Sequence, residues 1–279
     1  MGTPFKLGLC QMTVEKDKDA NLRRAAEFVR QAAGQGCRII ALPEMFNCPY
    51  NKNLFPHYAE CFPGGKTTNL LSSLAKEYQV VLAGGSVPEQ YGDIYYNTSF
   101  IFGPDGNLLG RHRKIHLFDV DLPGGLSFKE SDTLHAGNIP TVVDTAFGKI
   151  GVCICYDIRF PELLRYMTLQ GAKLILVPAA FNIVTGPAHW ELCMKSRAVD
   201  NQVFVAAISP ARNEKGTYKA WGHSMVADPW GDVLAEAGEG DEVLCVDIDP
   251  VRIGDVSKKL PLLKHRRTDL YTIEWLRQT

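Results

Sequence analysis

The apolar positions of the chain fall into two alternating rhythms. Phe5–Met12, Cys37–Leu42, Val80–Gly85, Thr141–Asp144, Lys149–Cys155, Leu174–Pro178, Val203–Ile208 and Glu242–Ile248 are short apolar-rich runs that read as strands. Between several of them lie helical patterns. Ala20–Gln35 places Leu22, Ala25, Ala26 and Val29 on one side, and Leu70–Tyr78, Pro161–Gln170 and Ala188–Asn201 follow the same period. A last helix is expected from Pro250. Two hairpins are signalled by turn sequences: Tyr95–Phe102 and Leu108–Arg113 flank Gly-Pro-Asp-Gly, while Ser224–Ala227 and Val233–Glu236 flank Asp-Pro-Trp-Gly. From His116 to about Pro140 the chain is rich in Gly, Pro and Asp and reads as a long loop. Loops of that length in a compact domain are usually functional or disordered.

Helix-separated strands imply parallel pairing, and the hairpins add antiparallel neighbours. The expected fold class is therefore α/β. Two mixed β-sheets packed face to face with helices outside accommodate every element, although composition alone does not separate this from a three-layer sandwich. No repeat, linker or composition shift divides the 279 residues. One domain over 1–279 is expected, with a core at about 5–249 and a C-terminal extension at 250–279.

Composition narrows the class further. Hydrophobic residues make up 46% and charged residues 22%, with a formal net charge of −1. Nothing in that balance favours nucleic acid or an anionic membrane as partner. No apolar run approaches the length of a membrane span, and the opening residues resemble neither a signal peptide nor a convincing presequence. The eight cysteines are scattered without C-x-x-C spacing, which suits reduced thiols in the cytoplasm, with a mitochondrial fraction left open. No metal is expected, since His189 and Cys193 are two candidate ligands without a third. No cofactor is expected either.

Three segments deliver a reactive side chain at the end of a strand. Ile39-Ile-Ala-Leu-Pro-Glu44 is an apolar run broken by Pro43, with a carboxylate at its exit. Arg111-His-Arg-Lys114-Ile-His116 is a basic cluster at the mouth of the long loop; alone it would read as a solvated basic face. Lys149-Ile-Gly-Val-Cys-Ile-Cys155 ends abruptly before Pro161, which is well placed in the first turn of a helix. A thiol on such an elbow is expected to project into solvent near backbone N–H groups that lower its pKa. The alternative is a buried structural cysteine.

Cysteine, glutamate and lysine make a coherent chemical set. The glutamate takes the thiol proton, the thiolate attacks a carbonyl, and the lysine, with backbone N–H groups around Tyr156, stabilises the oxyanion. Glu130, in the long loop, is a candidate second carboxylate that orients the lysine or the substrate. A Cys–His pair using His116, His189 or His223 is the rival arrangement, and spacing does not decide between them.

Read in order, Leu42-Pro-Glu44, His112-Arg-Lys114-Ile-His116-Leu, Cys155-Tyr-Asp-Ile-Arg-Phe-Pro161-Glu, Pro178-Ala-Ala-Phe181, Thr185-Gly-Pro-Ala-His-Trp190 and Gly222-His-Ser-Met-Val-Ala-Asp-Pro-Trp-Gly231 resemble the nitrilase superfamily of carbon–nitrogen hydrolases over essentially the whole chain. The resemblance implies a four-layer αββα sandwich, a Glu44–Lys114–Cys155 triad and a covalent acyl-thioester. Phe46-Asn-Cys-Pro-Tyr50, Ala180-Phe-Asn-Ile-Val-Thr185 and Ala198-Val-Asp-Asn-Gln-Val-Phe-Val are most similar to the omega-amidase branch. That branch implies hydrolysis of the terminal amide of 2-oxoglutaramate and 2-oxosuccinamate. The branch acting on deaminated glutathione shares the triad, and a catalytically idle scaffold is the third alternative. Cys48 departs from the pattern, standing where a small residue such as Ser is familiar.

Further roles come with the resemblance. A substrate with a distal carboxylate needs a cation, and Arg159 on the elbow is the candidate clamp. Phe181 and Thr185 match positions lining the pocket of related amidases, with Tyr156 beside them. The partner is thus a small 2-oxo acid amide, and a homodimer through helices near the elbow and the C-terminal segment is implied.

Overall fold

The computed structural model describes residues 3–122 and 126–276. Pro123–Gly125 and the two extreme ends of the expected 1–279 domain lie outside the described residues. In chain order the first part forms β1 (Phe5–Gln11), α1 (Lys18–Gly34), β2 (Cys37–Ala41), the single turn α2 (Phe55–Tyr58), β3 (Glu60–Cys61), α3 (Lys66–Tyr78), β4 (Val81–Ala83), β5 (Val87–Tyr91), β6 (Ile94–Phe102) and β7 (Leu108–Arg113). A short hairpin, β8 (Asp119–Leu122) and β9 (Leu126–Lys129), precedes β10 (Thr141–Thr145) and β11 (Gly148–Val152). Then come α4 (Pro161–Leu169), β12 (Leu174–Pro178), α5 (Thr185–Asn201), β13 (Phe204–Ile208), β14 (Met225–Ala227), β15 (Val233–Glu236), β16 (Glu242–Ile248) and α6 (Val251–Lys259).

The strands form two large mixed sheets. One runs β16-β1-β2-β4-β6-β5-β3, with β7 also paired to β6; the other runs β10-β11-β12-β13-β14-β15. Their centres are parallel, β1–β2–β4 and β11–β12–β13, and their flanks antiparallel apart from the parallel edge pair β5–β3. Side-chain alternation explains the layering. Ile39 and Ala41 of β2 pack with Leu174 and Leu176 of β12 and Phe204 of β13, filling the space between the sheets. Ile40, between them in sequence, points the other way, into a cluster with Val29 of α1 and Leu71 of α3. Across the molecule Ile175 and Val177 face Leu164 and Met167 of α4 and Trp190 and Met194 of α5. Strands buried on both faces need apolar residues at every position, which is why β12 reads Leu-Ile-Leu-Val. The result is the four-layer αββα sandwich.

Differences from the sequence-based elements are local. α5 begins at Thr185, three residues before Ala188, because the Asn182 side chain accepts hydrogen bonds from the N–H groups of Val184 (3.0 Å) and Thr185 (2.8 Å) and so caps it. The strand leading to Cys155 stops at Val152. The long loop is not featureless: it holds the β8–β9 hairpin and a 3₁₀ turn over Glu130–Asp132. Among the described residues no helix is long and apolar enough to cross a membrane.

Candidate active site

Glu44, Lys114 and Cys155 meet where the two sheets end. Glu44 leaves β2 through Pro43, whose carbonyl accepts from the Ser86 N–H at 3.1 Å. Gly85 must lie close for this to happen. A Cβ there would sit 2.1 Å from the Pro43 oxygen, and its φ of 57° is the left-handed region that glycine tolerates. The buried Glu44 carboxylate accepts from Asn97 Nδ2 (2.9 Å) and Lys114 Nζ (3.0 Å) on one oxygen, and from the Ala180 N–H (2.7 Å) on the other. Ala180 follows β12, so this single carboxylate ties the two sheets together.

Lys114 continues β7 beside β6, its N–H donating to the Asn97 carbonyl at 2.8 Å. Alternation sorts the basic cluster that reads as a solvated face. Arg111 and Arg113 point to one side and are neutralised by buried Glu89, each at 2.8 Å, while His112 and Lys114 point inward. Lys114 Nζ lies 2.9 Å from both oxygens of Glu130. Glu130 also accepts from the Tyr50 hydroxyl (2.9 Å) and the Phe118 N–H (2.8 Å). Burial pulls the Lys114 pKa down, but the Glu130 and Glu44 charges override it and hold the ammonium well above its ordinary value.

Cys155 starts a 3₁₀ turn (Cys155–Arg159) with φ 48°, left-handed backbone that a non-glycine residue adopts only under strain. The thiol lies close enough to Glu44 for each to shift the other's pKa. Its exposure corrects the expectation of a solvent-projecting, acidified thiol: Cys155 is only 6% exposed. Burial first, and then the negative charges of Glu44 and Glu130, raise its pKa well above the ordinary thiol value, and Lys114 opposes them only in part. Burial likewise raises the Glu44 carboxyl, partly countered by Lys114. Both shifts favour the proton-bound forms, so the thiol is neutral and the Glu44 carboxyl beside it is of increased basicity.

A small cleft opens at the Cys155 sulfur. Tyr156, Arg159, Phe181 and Thr185 line it with Phe118, Ala180 and Tyr218. The eight candidate residues are thus all brought together: three charged groups buried behind the thiol, four side chains in front. The rival histidines are directed elsewhere. His116 Nδ1 is 2.8 Å from Asp157 and its ring stacks on Phe160 at 3.7 Å. His223 Nδ1 is 3.0 Å from Glu236, and His189 Nδ1 is 3.2 Å from Arg159. Among the described residues no group of three or more His, Cys, Asp or Glu side chains is arranged to hold a metal.

Sequence reasoning missed several contributors. Asn97 and Tyr50 steady the two carboxylates, and Tyr218 packs on Tyr50 with ring centroids 4.5 Å apart. Asp157 is the most consequential. Fully buried, it accepts from the Ile154 N–H (3.0 Å), the His116 N–H (2.8 Å), His116 Nδ1 (2.8 Å) and His112 Nε2 (3.0 Å). It therefore binds the Cys155 elbow to both flanks of Lys114. An acidic residue two places after the cysteine, with two histidines around the lysine, was the available signal.

Burial alone would raise the Asp157 carboxyl, yet the His112 and His116 hydrogen bonds hold it well below the usual carboxylate range. A depressed native pKa adds stability that is present above the unfolded value, near pH ~4, and is lost as pH falls further. Asp157→Asn is expected to cost about 2–3 kcal/mol at pH 7. In urea unfolding at successive pH values, its deficit against wild type should shrink below about pH 4. A deficit independent of pH would contradict the charged role.

Residues 6–258 match the family model for carbon-nitrogen hydrolases. Omega-amidase NIT2 of Mus musculus is 51% identical over 270 residues, covering 97% of this chain and 98% of that protein. Omega-amidase NIT2 of Homo sapiens is 48% identical over 272 residues, 98% of each chain. The crystal structure of Saccharomyces cerevisiae Nit3, a member of branch 10 of the nitrilase superfamily, superposes with a TM-score of 0.88 at 44% identity, covering 95% of this chain and 97% of that one. The sandwich and the family match over most of its length agree: the chain belongs to the carbon–nitrogen hydrolases of the nitrilase superfamily, and it is a hydrolase of amides.

Proposed function

We propose that the protein is an omega-amidase, hydrolysing the terminal amide of 2-oxoglutaramate and 2-oxosuccinamate to the 2-oxo dicarboxylates and ammonia. Glu44 takes the Cys155 proton as sulfur attacks the amide carbon. Lys114 and the Tyr156 N–H, at the open start of its turn, stabilise the tetrahedral oxyanion. Glu44 then passes the proton to the departing nitrogen, the C–N bond breaks, and ammonia leaves a thioester on Cys155. Water loses a proton to Glu44 and attacks the thioester. The C–S bond breaks, and the proton returns to sulfur. Glu130, steadied by Tyr50, holds Lys114 charged and in place throughout.

The observation that carries the substrate reading is Arg159. It lines the cleft of the Cys155 thiol, half-buried, and no carboxylate pairs with it among the described residues. A guanidinium there suits a carboxylate at the far end of a short amide, with Phe181 and Thr185 shaping the walls. Exposed Leu169, Leu192 and Leu276 on α4, α5 and the C-terminal segment support the homodimer, and eight free cysteines support the cytoplasm.

The test is ammonia release from 2-oxoglutaramate, 2-oxosuccinamate, deaminated glutathione and a neutral amide lacking the distal carboxylate. The two 2-oxo acid amides should lead. In Arg159→Ala their kcat/KM should fall about 100-fold, against little change for the neutral amide. Equal losses on all substrates would overturn the clamp, and preference for deaminated glutathione would overturn the substrate.

A further inference from the structure

What aims Arg159 is on a different helix. Its Nη1 lies 3.2 Å from Nδ1 of His189, one turn into α5. A guanidinium has only donors, so the imidazole nitrogen must be the acceptor. The contact therefore specifies a neutral ring with its proton on Nε2. The guanidinium carbon stands 4.8 Å over the Phe181 ring and 6.0 Å from that of Tyr156. This cation–π contact holds the guanidinium over the Phe181 ring but leaves it free to turn. The His189 hydrogen bond removes that freedom and leaves the remaining N–H groups for a ligand.

The support behind both contacts is rigid. Phe181 is buried and meets Trp190, the residue after His189, edge-on at 5.2 Å. The start of α5 is held by Asn182, which accepts from the Val184 and Thr185 N–H groups and from the Thr185 hydroxyl at 3.1 Å. His189 itself is exposed and is not part of the cleft wall.

We propose that His189 is a positioning residue that sets selectivity for a distal carboxylate by holding the Arg159 guanidinium in its binding orientation. This rests on the reading of Arg159 as the carboxylate clamp and names the residue that makes the clamp selective. Loss of the acceptor leaves the charge in place but lets the long side chain sample orientations that do not meet the carboxylate.

The test compares His189→Ala, His189→Asn and Arg159→Ala, singly and combined, on 2-oxoglutaramate and on a neutral amide. His189→Ala should raise KM for 2-oxoglutaramate about fivefold with kcat within about twofold, and leave the neutral amide's KM unmoved. His189→Asn should restore KM to within about twofold of wild type, because its side-chain oxygen replaces Nδ1 as acceptor. In an Arg159→Ala background His189→Ala should have no further effect. Equal KM changes on both substrates, failure of asparagine to rescue, or additivity with Arg159→Ala would each overturn the proposal. Should Arg159→Ala itself fail to distinguish the substrates, the clamp reading falls. Should it distinguish them while His189→Ala does not, only the role of His189 falls.

Discussion

Replacing Cys155 with alanine is expected to lower ammonia release about 10⁴-fold or more with the fold retained, because the thioester cannot form and no other described nucleophile faces the cleft from that position. The argument rests on where strain is kept. Cys155 holds φ 48°, a conformation costing about 1–3 kcal/mol for a residue with a side chain. Alanine keeps that cost and removes only a small, poorly hydrated sulfur, so melting should move by a few degrees at most. Cys155→Gly separates the two issues. It should be equally inactive and yet melt higher, since glycine relieves the left-handed backbone. Activity above a thousandth of wild type in either variant would remove Cys155 from the mechanism. A glycine variant less stable than the alanine variant would remove the strain.

Lys114→Met should be almost as damaging to activity, and unlike the cysteine variants it should also unfold easily. The ammonium is wholly buried between Glu44 and Glu130. Removing it leaves two facing carboxylates without a cation, and breaking a buried pair in this way costs about 3–5 kcal/mol. One carboxylate will then take up a proton, its native pKa raised above the unfolded value of about 4.3. Stability gained from a raised pKa is complete at low pH and is lost as pH rises, so the variant should be more stable near pH 5 than at pH 8. Adding Glu130→Gln should recover about 2 kcal/mol of stability without recovering turnover. Restored turnover in that double variant would mean that Lys114 serves the fold alone.

Much of the fold was legible because it follows from alternation. β12 was legible at Leu174–Pro178, since a strand covered on both faces is apolar throughout and flanked by Lys173 and a loop. β3 and β5 were not. Val87-Pro-Glu-Gln-Tyr is polar and contains proline, and it becomes a strand only by pairing with β6 near the sheet edge. The β8–β9 hairpin is hidden in the same way by its Gly- and Pro-rich surroundings. Glu44 and Cys155 stood out because each closes an apolar run, and Lys114 because it sits in a basic cluster at the mouth of the long loop. Asn97 and Tyr218 did not, since they reach the site from distant segments that carry no local signal. The burial of Cys155 was not legible for a related reason. Its elbow lies under Tyr50 and Tyr218, which only the tertiary fold brings over it.

One consequence follows from the Glu44 hydrogen bond to Ala180. Glu44 and Lys114 hang from one sheet, Cys155 and Ala180 from the other, so the reacting distances are set by how the two sheets are seated on each other. A slip of one ångström between them would leave burial, and hence melting, nearly as before, yet carry sulfur out of reach of its base. Ile39, Leu176 and Ala206 lie in that interior plane, away from any substrate. They act as the spacers of the reaction, and catalysis measures their fit more finely than stability does.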